Sequence, residues 1–126
     1  MRKKILVVED DRHQRMLLEL ELAREGYDVV SVAGGREAVE RVSAEPIDLV
    51  VLDIGMPDMD GLEAMQKILD LKRKLPVVIN TAYPSFKDDF QSWSADAYVV
   101  KSGDLGELFG EIRKALQRGA GTEAAP

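Results

Sequence analysis

The 126-residue sequence contains no cysteine and a single histidine, His13. Disulfides, thiolate catalysis and Cys-ligated zinc or iron–sulfur centres are excluded, and a His-relayed triad or His-rich metal site is disfavoured. Aromatic residues are scarce, at 6%, and no apolar run approaches the length of a transmembrane helix. The start, Met1-Arg2-Lys3-Lys4, is basic, but the apolar run Ile5 to Val8 ends at Glu9, too short for the core of a signal peptide. A cytoplasmic protein without membrane association is expected. Positive charge is in deficit: 17 Lys plus Arg against 23 Asp plus Glu leave a net charge of -6. That balance argues against direct nucleic-acid binding driven by charge. Carboxylates, hydroxyls and lysine remain to do any chemistry.

What is present is an ordinary globular composition, 45% apolar and 32% charged, at a length that suits one domain with a real core. Strand-like and helix-like patterns alternate throughout, the signature of an α/β fold with a largely parallel sheet. Strands are predicted at Lys4 to Val8, Asp28 to Val32, Asp48 to Leu52, Val77 to Asn80 and Ala97 to Val100. Their continuous Val, Ile and Leu runs suit strands buried on both faces. Helices are predicted at Arg12 to Glu25, Gly35 to Ala44, Gly61 to Leu71, Ser85 to Ser94 and Asp104 to Arg118. Gly26 reads as a left-handed C-cap, Pro46 and Pro76 as stops, and Asp104 as an N-cap. Leu105, Leu108, Phe109, Ile112 and Leu116 form one apolar stripe on the last helix. Residues 119–126 are small and pattern-free, which predicts a domain over 1–118 followed by a flexible tail.

The polar residues that close the apolar runs carry the functional signal. Val8 leads into Glu9-Asp10-Asp11, Leu52 into Asp53, Asn80 into Thr81 and Val100 into Lys101. In an open parallel sheet these ends share one edge, where ligands bind at the reversal of strand order. One strand exiting into a polar loop is unremarkable; four exiting into complementary groups point to a site. Two like charges about 4 Å apart near a surface repel by about 4 kcal/mol, more than Lys101 alone offsets. A hard cation such as Mg²⁺ suits such an all-oxygen site. A carboxylate can take a phosphoryl group as an aspartyl phosphate, with Thr81 and Lys101 contacting its oxygens.

These motifs resemble the receiver domain of bacterial two-component response regulators. The resemblance covers Lys4 to Leu116 and rests on Ile5 to Asp10 (ILVVED), Asp53 to Gly61 (DIGMPDMDG), Thr81-Ala82 and Tyr98 to Lys101 (YVVK). It implies a five-stranded, doubly wound, flavodoxin-like three-layer sandwich with strand order 2-1-3-4-5, an order for which a member of this family is a standard illustration. It implies that Asp53 is the phosphoacceptor and that Asp10, Asp53 and the Gly55 carbonyl bind Mg²⁺, with Glu9 acting through metal-bound water. Thr81 and Lys101 would contact the phosphoryl group, and Tyr98 would turn inward as Thr81 is recruited. The implied donor is a sensor histidine kinase or histidine phosphotransfer protein. The output is expected to be a contact with a downstream protein target, made by a stand-alone monomer or weak phosphorylation-dependent dimer.

Each short motif also has a plainer reading. Met56 to Gly61 is an ordinary turn by composition, but directly after Asp53 it reads better as the loop shaping the phosphorylation pocket; Tyr98 is also a strand aromatic, Asp11 an N-cap as readily as a ligand, and His13 a surface residue. Three departures from the family pattern stand out. Ser102 replaces the usual proline after Lys101; a cis bond there would cost about 2.5 to 4 kcal/mol, so a trans Lys101–Ser102 bond is expected. Tyr83-Pro84 replaces a small, flexible pair. Phe86, Phe90 and Trp93 follow i, i+4, i+7 spacing and read as core packing. The alternatives are a receiver-like scaffold that ignores phosphate and, less favoured, an aspartyl-phosphate hydrolase. The latter class carries a second Asp where Gly55 stands.

Overall fold

The computed structural model describes residues 2–55, 61–82 and 95–124, the last six of these by their backbone alone. Five strands, β1 (Lys4–Val8), β2 (Asp28–Val32), β3 (Leu49–Leu52), β4 (Val77–Thr81) and β5 (Ala97–Val100), form one parallel sheet in the order β2-β1-β3-β4-β5. Four helices accompany it among the described residues: α1 (Arg12–Arg24), α2 (Gly35–Ala44), α3 (Gly61–Leu71) and α4 (Gly106–Ala124). The doubly wound architecture expected from the alternating pattern is the one observed.

The strands are apolar without alternation because both sheet faces are covered. Leu6, Val8, Val50, Leu52, Val77 and Ile79 pack with Ala38 and Val42 of α2 and Met65 and Ile68 of α3. On the other face Ile5, Val7, Leu49, Val51, Val78 and Val99 pack with Leu18 and Leu22 of α1 and Leu108, Ile112 and Ala115 of α4. The result is three layers. Each buried aliphatic side chain contributes roughly 1.5–3 kcal/mol, so the sheet is a rigid platform for whatever its edge carries.

Local signals explain the element ends. Asp11 caps α1 by accepting the Gln14 N–H at 3.0 Å, and Gly26, at φ 97°, takes the left-handed conformation after that helix. Asp48 stands outside β3 rather than opening it, because its carboxylate accepts the Lys4 N–H at 2.7 Å. α4 begins at Gly106 rather than Asp104; the Asp104 side chain accepts the Gly106 N–H at 2.8 Å and so still serves the helix start. The same helix continues to Ala124, past the predicted stop near Arg118. A glycine costs a helix only about 1 kcal/mol relative to alanine, so Gly119 and Gly121 do not end one already under way. The predicted helix Ser85 to Ser94, with Phe86, Phe90 and Trp93, lies outside the described residues, as do Met56 to Asp60, Tyr83 and Pro84.

Candidate functional site

β1 and β3 are hydrogen-bonded neighbours with Val8 paired to Leu52, so Glu9 and Asp53 leave the sheet side by side. This is the point at which the strand order reverses, with β2 on one side of β1 and β3 on the other. The Asp53 N–H donates to Val8 O at 3.0 Å and the Glu9 N–H to Val32 O at 3.1 Å, extending the ladder through both residues. Glu9 and Asp53 are buried, at 2% and 7% exposure, while Asp10 is open to solvent. One carboxylate oxygen from each of Glu9, Asp10 and Asp53 can be chosen so that all three lie within 4.8 Å of one another.

Lys101 follows β5, two strands away from β3, and its side chain crosses the edge to reach the cluster. Its ammonium donates to Glu9 Oε1 at 2.6 Å and to Asp53 Oδ2 at 3.0 Å. The backbone holds it in place: Lys101 N–H donates to Thr81 O at 2.7 Å. No cis peptide bond occurs among the described residues, so Lys101–Ser102 is trans as expected. The Ser102 hydroxyl donates to Asp104 O at 2.8 Å and accepts the Asp104 N–H at 3.2 Å, closing the turn that a proline usually shapes.

Burial raises the Glu9 pKa above 4.5, outweighing the hydrogen bond from Lys101 that lowers it. Burial pulls the Lys101 pKa down, but hydrogen bonds to Glu9 and Asp53, reinforced by their charges, prevail and hold it above 10.5. Three carboxylates thus face one ammonium. The donor set is all oxygen and only partly compensated, which fits a hard divalent cation that keeps several of its waters.

Neighbouring groups fix these side chains. Asp53 Oδ1 accepts the Gly55 N–H at 3.1 Å, and Glu9 Oε2 accepts the Asp11 N–H at 3.0 Å. Asp11 therefore acts as the helix cap, and its exposed carboxylate is held below its ordinary pKa chiefly by the Gln14 N–H. Thr81 is fully buried at the end of β4. Ile79 pairs with Tyr98 and Thr81 with Val100, so by strand alternation Thr81 and Tyr98 share one sheet face. Tyr98 is half-buried there, against the core packed by α2 and α3.

Two features lie beyond the sequence-predicted set. Arg15 donates to Glu9 O at 2.9 Å, tying α1 to the acidic loop. Met16, Leu17 and Leu20 of α1 are about half exposed, at 51%, 49% and 59%. The signal for this face was the run Met16-Leu17-Leu18-Glu19-Leu20, whose apolar residues are too densely spaced for one helix stripe. Leu17 also lines a cavity of about 290 Å³ between α1 and α4, together with Leu18, Val99, Lys101, Leu105 and Leu108.

A doubly wound sheet with an acidic pair at its switch point, a buried threonine and a lysine reaching back across the edge defines the class of phosphate-handling receiver folds. The response regulator receiver domain model matches residues 5–113, and the chain belongs to that family. It is 35% identical over 116 residues to the response regulator ArlR of Staphylococcus aureus, an alignment covering 90% of this chain and 52% of that protein. The chain thus spans about half the length of the curated relatives it matches. It is also similar to the Thermotoga maritima response regulator TrrA solved with Mg²⁺ and BeF, at 41% identity and TM-score 0.86 over 90% of this chain and 98% of that one. A receiver domain protein from Methanospirillum hungatei aligns at 28% identity and TM-score 0.91, covering 97% and 99% of the two chains.

Proposed function

We propose that the protein is a phosphorylation switch in which Asp53 accepts a phosphoryl group from a phosphohistidine of a sensor histidine kinase or phosphotransfer protein. The observation that carries this reading is the seat of Asp53. It is a buried carboxylate at the sheet edge, gripped by the Gly55 N–H on one oxygen and by Lys101 on the other, beside Glu9 and Asp10. TrrA, 41% identical, has been solved in complex with the histidine kinase ThkA, which supports a kinase as partner.

An Asp53 carboxylate oxygen attacks phosphorus, the phosphorus–nitrogen bond of the donor breaks, and its electron pair returns to the imidazole, giving an acyl phosphate. Asp10 and Asp53, with the Gly55 carbonyl, would hold Mg²⁺, with Glu9 acting through one of its waters, and the ion would supply positive charge against the phosphoryl oxygens. Lys101, already within reach of Asp53, transfers its hydrogen bonds to those oxygens, and Thr81 donates its hydroxyl. Tyr98 shares the Thr81 face, so inward movement of Thr81 alters the space available to the tyrosine ring and biases a two-state element. A downstream protein reads that change. The role is switching rather than turnover of a small substrate: Gly55 offers no side chain to serve as the general acid of an aspartyl-phosphate hydrolase.

The donor must bring phosphorus to Asp53 at this edge, which places it over the first turns of α1. Met16, Leu17 and Leu20 supply the apolar surface it would cover. Among the described residues no helix is long and apolar enough to cross a membrane, and a cytoplasmic location fits a kinase-fed switch. A scaffold that ignores phosphate is not favoured by Ser102 in place of the usual proline, because Lys101 reaches Asp53 through a trans bond without one. Incubation with Mg²⁺ and a small phosphodonor tests the proposal: one hydroxylamine-sensitive phosphate per chain is expected, and an unlabelled, folded protein would overturn it.

A further inference from the structure

Gly61, the first residue of α3, is buried against the backbone that carries Asp53. A Cβ atom built on it would collide with the Ile54 Cα and lie 2.7 Å from the Asp53 carbonyl oxygen and 3.1 Å from the Ile54 Cβ. The atoms it meets first belong to the main chain, which cannot swing aside as a flexible side chain can. The Gly61 N–H also faces Ile54 O at 3.4 Å, a second contact between the same two segments. Gly103, by contrast, has open space around the corresponding position, and so does Gly26. Composition alone presents Gly61 as a turn residue closing a Pro- and Asp-rich loop; the close approach is a different requirement.

From this we infer that Gly61 is a positioning residue for phosphoryl transfer, setting the height of the Asp53 carboxylate by allowing α3 to seat directly on the Asp53–Ile54 peptide. The inference rests on the reading of Asp53 as phosphoacceptor. Any side chain at 61 displaces that peptide, and the carboxylate moves with it. On one side Asp53 is tied to β1 through Val8 O, and its oxygens are held by Lys101 and the Gly55 N–H. A shift of the backbone beneath it therefore cannot be absorbed without losing one of those contacts. The core residues of α3, Ala64, Met65 and Ile68, lie further along the helix and remain able to pack. The fault is thus local to the site.

The test compares wild type, Gly61→Ala and Ile112→Ala, the last a loss of packing on the opposite sheet face. Melting temperature, the Mg²⁺ dissociation constant by calorimetry, and the rate of labelling by a small phosphodonor are measured for each. A misplacement of about 1 Å can cost about a hundredfold in rate, so Gly61→Ala is expected to label at least about tenfold more slowly and to bind Mg²⁺ more weakly. Ile112→Ala is expected to lose melting temperature while the folded fraction labels at the wild-type rate. If Gly61→Ala is unfolded in buffer, all three proteins are measured in trimethylamine N-oxide, which favours compact states. Equal labelling of folded Gly61→Ala and wild type would overturn the inference. So would a failure of Gly61→Ala to fold even with the osmolyte, which would make the residue one the whole fold requires. An unlabelled wild type would instead remove the phosphoacceptor reading itself.

Discussion

Lys101 Nζ lies closer to Glu9 Oε1, at 2.6 Å, than to Asp53 Oδ2, at 3.0 Å. The same ammonium therefore neutralises the more deeply buried anion and holds the candidate nucleophile in place. Glu9 is the electrostatic anchor of the edge, and Asp53, although also buried, is the carboxylate from which Lys101 is more readily drawn away.

Removing that ammonium leaves two buried carboxylates facing each other. Breaking a buried pair from one side costs about 3 kcal/mol, so Lys101→Met should lower the unfolding free energy in EDTA by about that much. Urea denaturation measures it. A loss below about 0.5 kcal/mol, the range of an ordinary surface substitution, would show that the ammonium is not paired in solution.

Added cation should compensate for the same crowding. Millimolar Mg²⁺ is expected to raise the wild-type melting temperature through preferential binding to the folded state. Asp10→Asn should raise the melting temperature slightly in EDTA, because Asp10 is exposed and its charge opposes Glu9 and Asp53, and should abolish most of the Mg²⁺ response. A Mg²⁺ response that survives intact in Asp10→Asn would place the cation elsewhere.

The pH dependence has a defined sign on the alkaline side. Lys101 has its pKa raised above 10.5 in the fold, against the downward pull of burial, and Tyr27 has its own raised above 10.0 by burial. In each case the folded state keeps a proton that the unfolded chain releases. The resulting stability is complete below the unfolded pKa and is lost as pH rises through the folded value. Wild type in EDTA should therefore lose unfolding free energy above pH 10, and Tyr27→Phe with Lys101→Met should flatten the curve. An unchanged slope in the double variant would contradict the pairing.

The exposed face of α1 separates donor docking from chemistry. Leu20 is 59% exposed, so Leu20→Lys should shift the melting temperature little. It should slow phosphotransfer from a histidine kinase while leaving labelling by a small phosphodonor unchanged. Equal slowing with both donors would mean that the substitution disturbs Asp53 rather than a docking surface.

The fold was legible because its signals are local and repeated. Val- and Ile-rich runs such as Ile5 to Val8 and Val77 to Ile79 suit strands buried on both faces, as in a parallel sheet covered by helices. The residues at the strand ends were legible for the same reason, since topology carries Glu9, Asp53, Thr81 and Lys101 to one edge. How Lys101 divides its ammonium between Glu9 and Asp53 was not, because that depends on the reach of a side chain across β4. Gly61 was legible as the end of a pocket-shaping loop, but its close approach to Ile54 was not, being made between segments whose meeting no periodicity encodes. The excess apolar residues of α1 were visible in the sequence, but which of them stay exposed depends on how the helix rolls onto β1. The extent of α4 turned on helix continuation through glycines, where propensity is a weak guide.

The central claim is that Asp53 is the residue that carries phosphate. Protein labelled with a small phosphodonor and Mg²⁺ is reduced with borohydride, which converts an aspartyl phosphate to homoserine, and is then sequenced by tandem mass spectrometry. Homoserine at position 53 in wild type, and no label in Asp53→Asn, is the predicted result. Homoserine at Asp10 or another carboxylate in wild type, or equal labelling of Asp53→Asn, would contradict the account.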